Sequence, residues 1–384
     1  MKYWGRLTLL YLLLVAIFGM LLRYAFINHG GFVFQFIKHT HSHVAFLGWV
    51  FNAVFVLIIH AYYKGKIVSS IKWQFYLFQL SVVGMMLSFP FQGYAPWSIA
   101  FSTLHVLISI WFYFSTITNI KGGDQSIKWI KLGAFFMVIS NIGPLSLAPI
   151  LVSDLKDTFV YHLSLQHYLH FQYNGWFVVA TIGLLINYFK ISLRHEKLIF
   201  WLLGWSVIPL FFITIEIIES NPIYRLIGGV AALAQLVGVC LLINESLSAF
   251  KSQNLSLKVL LTVSFTALIF KSIFQLAVAF PTVSAAYISS HNPIIGFLHL
   301  IFLGVITNML LTLFIKTGFI KQHWLTLLAV FLFNGGVILM ELLLFAQPFY
   351  VPANYFHWLF ISTIPILMGI ALFNLKSLTH TVLS

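Results

Sequence analysis

Residues 43–63, HVAFLGWVFNAVFVLIIHAYY, contain no Asp, Glu, Lys or Arg. A helix that crosses a lipid bilayer needs roughly 20 mostly apolar residues, and this stretch is long enough for one crossing. It begins with a histidine, and ionisable side chains within a membrane are costly and usually face an interior site. The stretch therefore predicts a transmembrane helix with a functional side chain near one end.

The composition extends this prediction to the whole chain. Of its 384 residues, 60% are hydrophobic and only 8% are charged, and the mean hydropathy is +0.97. Soluble domains carry about 25% charged residues. The composition excludes a soluble enzyme, a disordered chain and a nucleic-acid-binding protein. The single cysteine excludes an internal disulfide and a thiolate metal cluster. No nucleotide-binding motif occurs.

The apolar stretches predict an all-α polytopic membrane protein with about twelve transmembrane helices in a single domain, 1–384. Short joints rich in turn residues, such as Lys121-Gly122-Gly123-Asp124 and Ser220-Asn221-Pro222, separate them. The predicted spans are 6–27, 43–63, 71–93, 96–118, 128–152, 167–189, 198–217, 223–244, 257–280, 293–315, 322–346 and 353–375.

The basic residues predict the orientation. With a cytoplasmic N-terminus, sixteen of the 21 Lys and Arg residues lie on the inner side. Four lie outside (Arg23, Lys38, Lys156 and Arg225), and Lys271 lies within a span. This asymmetry satisfies the positive-inside rule. We expect both termini to be cytoplasmic and the protein to lie in the inner or plasma membrane of a prokaryote.

Nine of the fifteen histidines share one predicted depth. Each lies in or just before an even-numbered span, at the end nearer the outer surface. Single intramembrane histidines are often packing residues, but nine at one depth favour an interior site. The nine are His41, His43, His105, His162, His167, His170, His291, His299 and His357.

Three of these histidines share the frame H-x4-G and open spans 2, 6 and 10. The frames begin at His43, His170 and His299, four spans apart. The equal spacing predicts three pseudo-symmetric arcs of four helices, approximately 1–120, 121–250 and 251–384, each presenting one inward histidine. The alternative is that glycine is simply common where membrane helices meet.

The pair His41 and His43 indicates the kind of ligand. At 100° per residue, the two side chains point about 200° apart on a helix, so each could serve a different group. Neutral imidazole is the usual axial ligand of haem iron, whereas zinc or copper needs several ligands at one point. We expect one or two haems of b type. His167 and His170, with His162, could hold a second metal, either non-haem iron or copper.

These residues also carry a family resemblance. HSHVAFLGW (41–49) resembles the H-x-H-x-A-F-x-G element of the nitric oxide reductase large subunit, within the haem–copper oxidase catalytic-subunit (subunit I) superfamily. GFLHLIFLGVITNML (296–310) resembles the NnrS-type haem membrane proteins. Twelve spans, cytoplasmic termini, three four-helix arcs and ligands near the outer face are also the plan of that superfamily.

The resemblance implies roles for individual residues. His43 and His299 match the two ligands of a low-spin haem, His41 faces a second haem, and His170 matches a ligand of the non-haem metal. The chain departs from the family in two ways. Its H-x-H opens span 2 instead of span 10, and span 7 lacks the histidine pair of the copper-binding oxidases. A conventional haem–copper centre is therefore not expected.

Further polar residues complete the candidate site. His105 and His357 are additional candidate cofactor ligands, and Lys271 and Glu341 are candidates for proton transfer because they lie within spans. Another polar set could form either a hydrated path or a hydrogen-bonded helix seam. Its members recur on one face of span 4: Ser98, Ser102, His105 and Ser109.

The predicted function is that of a haem-dependent oxidoreductase in electron transfer or in nitric oxide or oxygen chemistry. The chain has no C-x-x-C-H site for a covalent haem, so electrons are expected from a quinol or a separate donor protein. The lipid bilayer is the other expected partner. The alternatives are a transporter of a metal ion or haem-related solute and a non-catalytic haem or gas sensor.

Overall fold

The chain is described by a computed structural model covering residues 1–28, 31–64, 67–151, 153–156, 158–288 and 291–378. All regular secondary structure in these ranges is helical. Twelve of the described helices are long and apolar enough to cross a membrane, so the all-α class and the predicted number of spans are confirmed. The side chain of His291, one of the predicted histidine layer, lies outside the described part.

The twelve long helices follow one another with short connections. A further short helix, Pro281–Ile288, lies between the ninth and the tenth. In chain order, α1–α12 are Lys2–Tyr24, Phe34–Tyr62, Ser69–Gln92, Pro96–Ile117, Gln125–Leu151, Phe159–Phe189, Glu196–Ile218, Pro222–Lys251, Leu255–Val278, Asn292–Lys316, Trp324–Ala346 and Tyr355–Ser377.

Two helices begin earlier than the sequence predicts. α2 begins at Phe34 instead of 43, and α6 begins at Phe159 instead of 167. The apolar runs start where predicted, but the backbone is already helical through the polar residues before them. His41 and His162 therefore lie inside helices, where the sequence analysis placed them ahead of the spans.

The predicted joints contain the residues that cap the next helix. The side chain of Asp124 accepts a hydrogen bond from the Ser126 backbone N–H before α5. The side chain of Asn221 accepts one from the Ile223 N–H before α8, with Pro222 in the first turn. Such caps satisfy amide groups that have no partner within the helix.

The described helices form two compact units. Unit 1 consists of Met1–Ile108, Asn254–Val263 and Phe302–Ser384, and unit 2 of Ser109–Gln253 and Ser264–Ile301. This division does not test the predicted arrangement of three arcs, which stays a prediction.

In unit 1, α2 packs against the part of α10 that belongs to the same unit. The rings of Phe46 and Phe302 stack with centroids 4.2 Å apart. Three residues further along α2, Trp49 Nε1 donates a hydrogen bond to Thr307 Oγ1 at 2.9 Å, away from solvent. The helices α11 and α12 also pack closely, because a Cβ added at Gly369 would lie 2.7 Å from the carbonyl oxygen of Ala329.

Unit 2 contains a glycine-lined contact between α5 and α6. A methyl group added at Gly133 would lie 2.9 Å from the backbone nitrogen of Ala180, and one added at Gly175 would lie 2.5 Å from Phe136 Cβ. Small residues let membrane helices approach closely and gain dispersion contacts. Ser140 adds a hydrogen bond across the same contact, from its Oγ to Gln172 Oε1 at 2.8 Å.

Five segments of the described helices are π-helical, with hydrogen bonds from residue i to i+5. Three of them directly follow the histidines of the H-x4-G frames. The five segments are Val44–Phe51, Tyr113–Ile117, Phe171–Phe177, Phe200–Trp205 and Leu300–Thr307. Short π-helical segments occur frequently at functional sites.

We expect Gly133→Val to destabilise the protein because its side chain would collide with the backbone of α6. Overpacking of this kind costs about 1–3 kcal/mol. The measurement is the thermal unfolding midpoint of the purified protein in detergent. Gly335→Val is the matched control, since a Cβ at Gly335 meets no atom within 4 Å. Equal midpoints for the two variants would contradict the close contact.

Candidate cofactor site

His43 is the last residue of the α-helical part of α2 before its π-helical segment. Its Nδ1 lies 2.9 Å from the carbonyl oxygen of His39. A carbonyl only accepts, so Nδ1 carries the proton and the lone pair is on Nε2. Nε2 faces the Tyr94 hydroxyl at 3.3 Å, and Phe89 packs against the ring at 4.4 Å.

His41 points to a different neighbour. Its Nδ1 donates to the carbonyl oxygen of Val15 on α1 at 3.1 Å. The ring packs against α1 at Gly19, where an added Cβ would lie 3.1 Å from the ring carbon Cε1. His41 thus faces α1, whereas His43 faces residues at the end of α3. The predicted divergence of the two side chains is confirmed.

His105 on α4 is buried, with 3% of its surface exposed. Ser81 Oγ lies 2.9 Å from His105 Nδ1 and donates its own proton to the carbonyl of Phe78. The serine therefore accepts from Nδ1–H, and the lone pair of His105 is on Nε2. This Nε2 is buried and has no hydrogen-bond partner among the described residues. Phe51 and Phe78 surround the ring, each with its centroid at 4.8 Å.

These three histidines of unit 1 share one chemical arrangement. In each, Nδ1–H is held by an oxygen of the protein and the lone pair is on Nε2. The Nε2 of His43 faces the Tyr94 hydroxyl, and the Nε2 of His105 is buried without a partner among the described residues. Metal-binding histidines typically have this arrangement, because the bond at one nitrogen sets the tautomer and orients the other. A buried lone pair without a donor is also unfavourable unless something binds it. Unit 1 can therefore offer imidazole ligands in aromatic surroundings.

The two remaining candidate cofactor ligands differ in their exposure. His299 is half-buried on α10, directly before the π-helical segment Leu300–Thr307. His357 is exposed near the start of α12. No described contact of His357 indicates a buried ligand site.

The three predicted ligands of a second metal do not converge. His162 is exposed and lies in the same continuous helix as the other two, eight residues before His170. His170 is almost fully buried, but its Nε2–H donates to the Val207 carbonyl at 2.8 Å, and its Nδ1 faces Asn174 Nδ2 at 3.3 Å.

His167 presents a buried Nδ1 that has no hydrogen-bond partner among the described residues. Phe171 and Phe211 pack against its ring. Across the described part of the chain, no group of three His, Cys, Asp or Glu side chains is placed to hold a metal ion.

Lys271 is buried in unit 2, with 2% of its surface exposed. Its Nζ donates to Gln235 Oε1 at 2.9 Å. Both side chains line a cavity of about 10 Å³ together with Asn174, whose Oδ1 is buried and unpaired among the described residues. A cavity of this size with several polar groups holds about one water molecule.

Glu341 on α11 is the other candidate for proton transfer. Both carboxyl oxygens are buried, and neither has a hydrogen-bond partner among the described residues. Arg23 on α1 is also buried and interacts with Glu341 electrostatically. Arg225, the other arginine predicted on the outer side, forms an ion pair with Glu216 at 2.6 Å. This ion pair accounts for the position of Arg225.

The polar face of α4 is a hydrogen-bonded seam. Ser98 Oγ donates to backbone carbonyls of Gly93 and Ala95. Ser102 Oγ donates to its own helix at the carbonyl of Ile99. Those two bonds are local, but Ser109 Oγ accepts from Asn141 Nδ2 on α5 at 2.9 Å, and His105 bonds Ser81 on α3. These bonds between helices favour the seam over the hydrated path.

Sequence reasoning missed the residues that orient the histidine rings. Ser81 and Tyr94 were not singled out, and Gln235 was not recognised as the partner of Lys271. Ser81 carries no sequence signal that separates it from other membrane serines. The H-x4-G frame did carry a signal, since its spacing of five residues is the hydrogen-bond spacing of a π-helix.

Comparison with known proteins finds no protein-family model that matches the chain. It also finds no curated protein that is similar to the chain in sequence.

We expect Gln235→Leu to destabilise the protein because it leaves the Lys271 amine buried without a partner. Unsatisfied buried groups cost about 1–3 kcal/mol. The double variant Gln235→Leu/Lys271→Met should recover most of that loss, since replacing both partners by apolar groups is often neutral. Thermal unfolding of the three variants, with Lys271→Met alone as control, measures the coupling. Strictly additive effects would contradict the pair.

Proposed function

We propose that the chain is a haem-binding integral membrane protein that acts in electron transfer or in nitric oxide or oxygen chemistry. The observation that supports the proposal best is the shared arrangement of His41, His43 and His105. Each ring is held at Nδ1 by an oxygen of the protein, so each lone pair lies on Nε2, and that of His105 is buried without a partner among the described residues. The second support is the resemblance of 41–49 to the nitric oxide reductase large subunit.

The chemistry of these histidines fits haem better than zinc or copper. A zinc or copper site draws several ligands to one point, but His41 and His43 face different helices. Haem iron takes only one or two axial ligands from the protein, and the rest of the haem prefers apolar surroundings. Phe51, Phe78 and Phe89 supply such surroundings beside the rings.

The proposed ligands are His43 and His105 with His41 as a third. The pairing of His43 with His299 comes from the resemblance and stays a prediction. His357 is the weakest candidate because it is exposed. A bound haem would supply a one-electron redox centre, and a quinol or a separate donor protein would supply the electrons. Within the protein, the histidines bind and orient, and the phenylalanines exclude water.

We do not extend the proposal to a second metal at His162, His167 and His170. Only His167 has an unpaired buried nitrogen there, because both nitrogens of His170 are engaged. A copper or iron ion at His170 would first have to displace the bond to Val207. Metal analysis with one ion per chain, lost in His170→Ala, would reverse this judgement.

Lys271 and Glu341 remain the proposed proton-transfer residues. Both are buried within membrane-spanning helices, and both lack a direct ion-pair partner among the described residues. Buried ionisable groups within membrane-spanning helices usually have a functional role, and proton relays are one such role.

We expect the purified protein to show the sharp visible bands of a six-coordinate haem in a reduced-minus-oxidised difference spectrum. His43→Ala and His105→Ala should each lower or shift these bands, because each removes a proposed axial ligand. His195→Ala is the control, since His195 is exposed and binds Glu245. A colourless wild-type protein would refute the proposal and favour a transporter.

The number of haems distinguishes the roles of His41 and His43. If each histidine serves its own haem, a pyridine-haemochrome assay should approach two haems per chain. His41→Ala should then lower the value by one and leave the bands that depend on His43 unchanged. A wild-type value of one would mean that only one of the two histidines is a ligand.

A further inference from the structure

Two of the three H-x4-G frames extend to an asparagine at a fixed distance. His43, Gly48 and Asn52 have the same spacing as His299, Gly304 and Asn308, so the frame reads H-x4-G-x3-N. The third frame has no asparagine at this position, which is occupied by Val179.

The asparagines mark the ends of two π-helical segments. The segments are Val44–Phe51 and Leu300–Thr307. A histidine directly precedes each one and an asparagine directly follows it. Where the backbone returns from i+5 to i+4 hydrogen bonding, one carbonyl oxygen is skipped by the ladder of N–H groups. Within a membrane such an oxygen needs another donor, because no water reaches it.

The asparagine side chains supply donors at this point. Asn52 Nδ2 donates to the Leu47 carbonyl at 2.8 Å. Asn308 Nδ2 donates to the equivalent Leu303 carbonyl at 2.8 Å and also to Gly304 at 3.1 Å. Both asparagines are fully buried. Ordinary helical asparagines here bond four residues back, as Asn334 does to Val330, so the bond to a residue five back belongs to the π-helical turn.

We infer that Asn52 and Asn308 are positioning residues that hold the π-helical turns behind His43 and His299. A π-helical turn contains an extra residue, so it rotates the side chains before it relative to those after it. Holding the turn therefore fixes the direction of the histidine ring relative to the rest of the helix. The inference rests on the proposed function only in that the ligand of the histidine is taken to be haem.

The third frame serves as an internal contrast. Its π-helical segment ends at Phe177, and neither Val178, which directly follows, nor Val179 at the asparagine position offers a side-chain donor. Its histidine, His170, uses Nε2–H for the Val207 carbonyl and so has no lone pair left at that nitrogen. His43, in a frame that keeps the asparagine, retains its Nε2 lone pair in an aromatic pocket.

A matched pair of variants tests the inference. Asn52→Val and Asn52→Thr have nearly the same shape, but only threonine can donate a hydrogen bond to a carbonyl four residues back. Thr312 makes such a bond to the Asn308 carbonyl at 2.8 Å. Threonine at 52 would donate to Gly48 and not to Leu47, so both variants leave the Leu47 carbonyl without its side-chain donor, and only Asn52→Thr keeps a hydrogen-bonding side chain. Asn334→Val is the control for loss of a buried asparagine of unit 1 outside any π-helical segment.

Two readouts separate the inference from the proposed function. The first is amide hydrogen exchange of the peptide over 43–52, which does not depend on haem. We expect about tenfold faster exchange in both Asn52→Val and Asn52→Thr, in line with one lost hydrogen bond to the Leu47 carbonyl, and wild-type exchange in Asn334→Val. The second is the position of the visible haem bands, which should shift in both variants at position 52 and stay unchanged in Asn334→Val.

Each outcome of these measurements either supports or overturns the inference. Unchanged exchange in Asn52→Val would overturn the inference. Faster exchange with unshifted bands would also overturn it, since the asparagine would then stabilise the helix without positioning a ligand. If Asn52→Val cannot be purified, shifted bands in Asn52→Thr support the role of the bond to Leu47 and wild-type bands refute it. A wild-type protein without haem would refute the proposed function, while the exchange result would still decide the role of the asparagine in the turn.

Discussion

In the hydrocarbon core of a bilayer, a backbone carbonyl that loses its N–H partner has no water to replace it. A membrane helix can therefore depart from regular bonding only where the protein supplies another donor. The described helices do so in five π-helical segments. In α2 and α10 the donor is an asparagine side chain at the end of the segment, so these irregular turns are built into the sequence and are not local defects.

The same constraint governs the polar side chains. Serine hydroxyl groups on α3, α4 and α5 donate hydrogen bonds to backbone carbonyl oxygens. His41, His43 and His105 place one ring N–H on an oxygen of the protein. The buried atoms that remain without a hydrogen-bond partner in the described part include donors and acceptors, and His105 Nε2 is one that could bind a metal. Because an unpaired buried polar atom has a cost, each one needs an explanation, and a ligand is one such explanation.

The sequence was sufficient for the number of helices, because membrane spans depend on length and apolarity alone. It also located the capping residues Asp124 and Asn221, since turn chemistry is local. It placed the starts of α2 and α6 too late, because a hydropathy criterion stops at polar residues that the backbone still includes in the helix. The divergence of His41 and His43 followed from helical geometry alone.

The ring orientations could not be derived from the sequence in the same way. Ser81 is 24 residues from His105, and Val207 is 37 residues from His170. Such partners depend on which helices are neighbours and on their relative heights, and one sequence does not contain that information. The sequence could have predicted the π-helical turns, because the five residues from His43 to Gly48 equal the hydrogen-bond spacing of a π-helix. The directions of the histidine side chains were predicted with α-helical spacing instead.

The three H-x4-G frames show why a motif alone does not define a ligand. His43 and His170 precede the same kind of π-helical segment and the same Gly-Trp pair, yet opposite ring nitrogens carry the proton. In α2 a carbonyl four residues earlier takes the proton of Nδ1, whereas in α6 a carbonyl of α7 takes the proton of Nε2. The frame fixes where the histidine stands along the helix. Which nitrogen keeps its lone pair is decided by the carbonyl oxygen that lies beside the ring, so the lone pair is on Nε2 in His43 and on Nδ1 in His170.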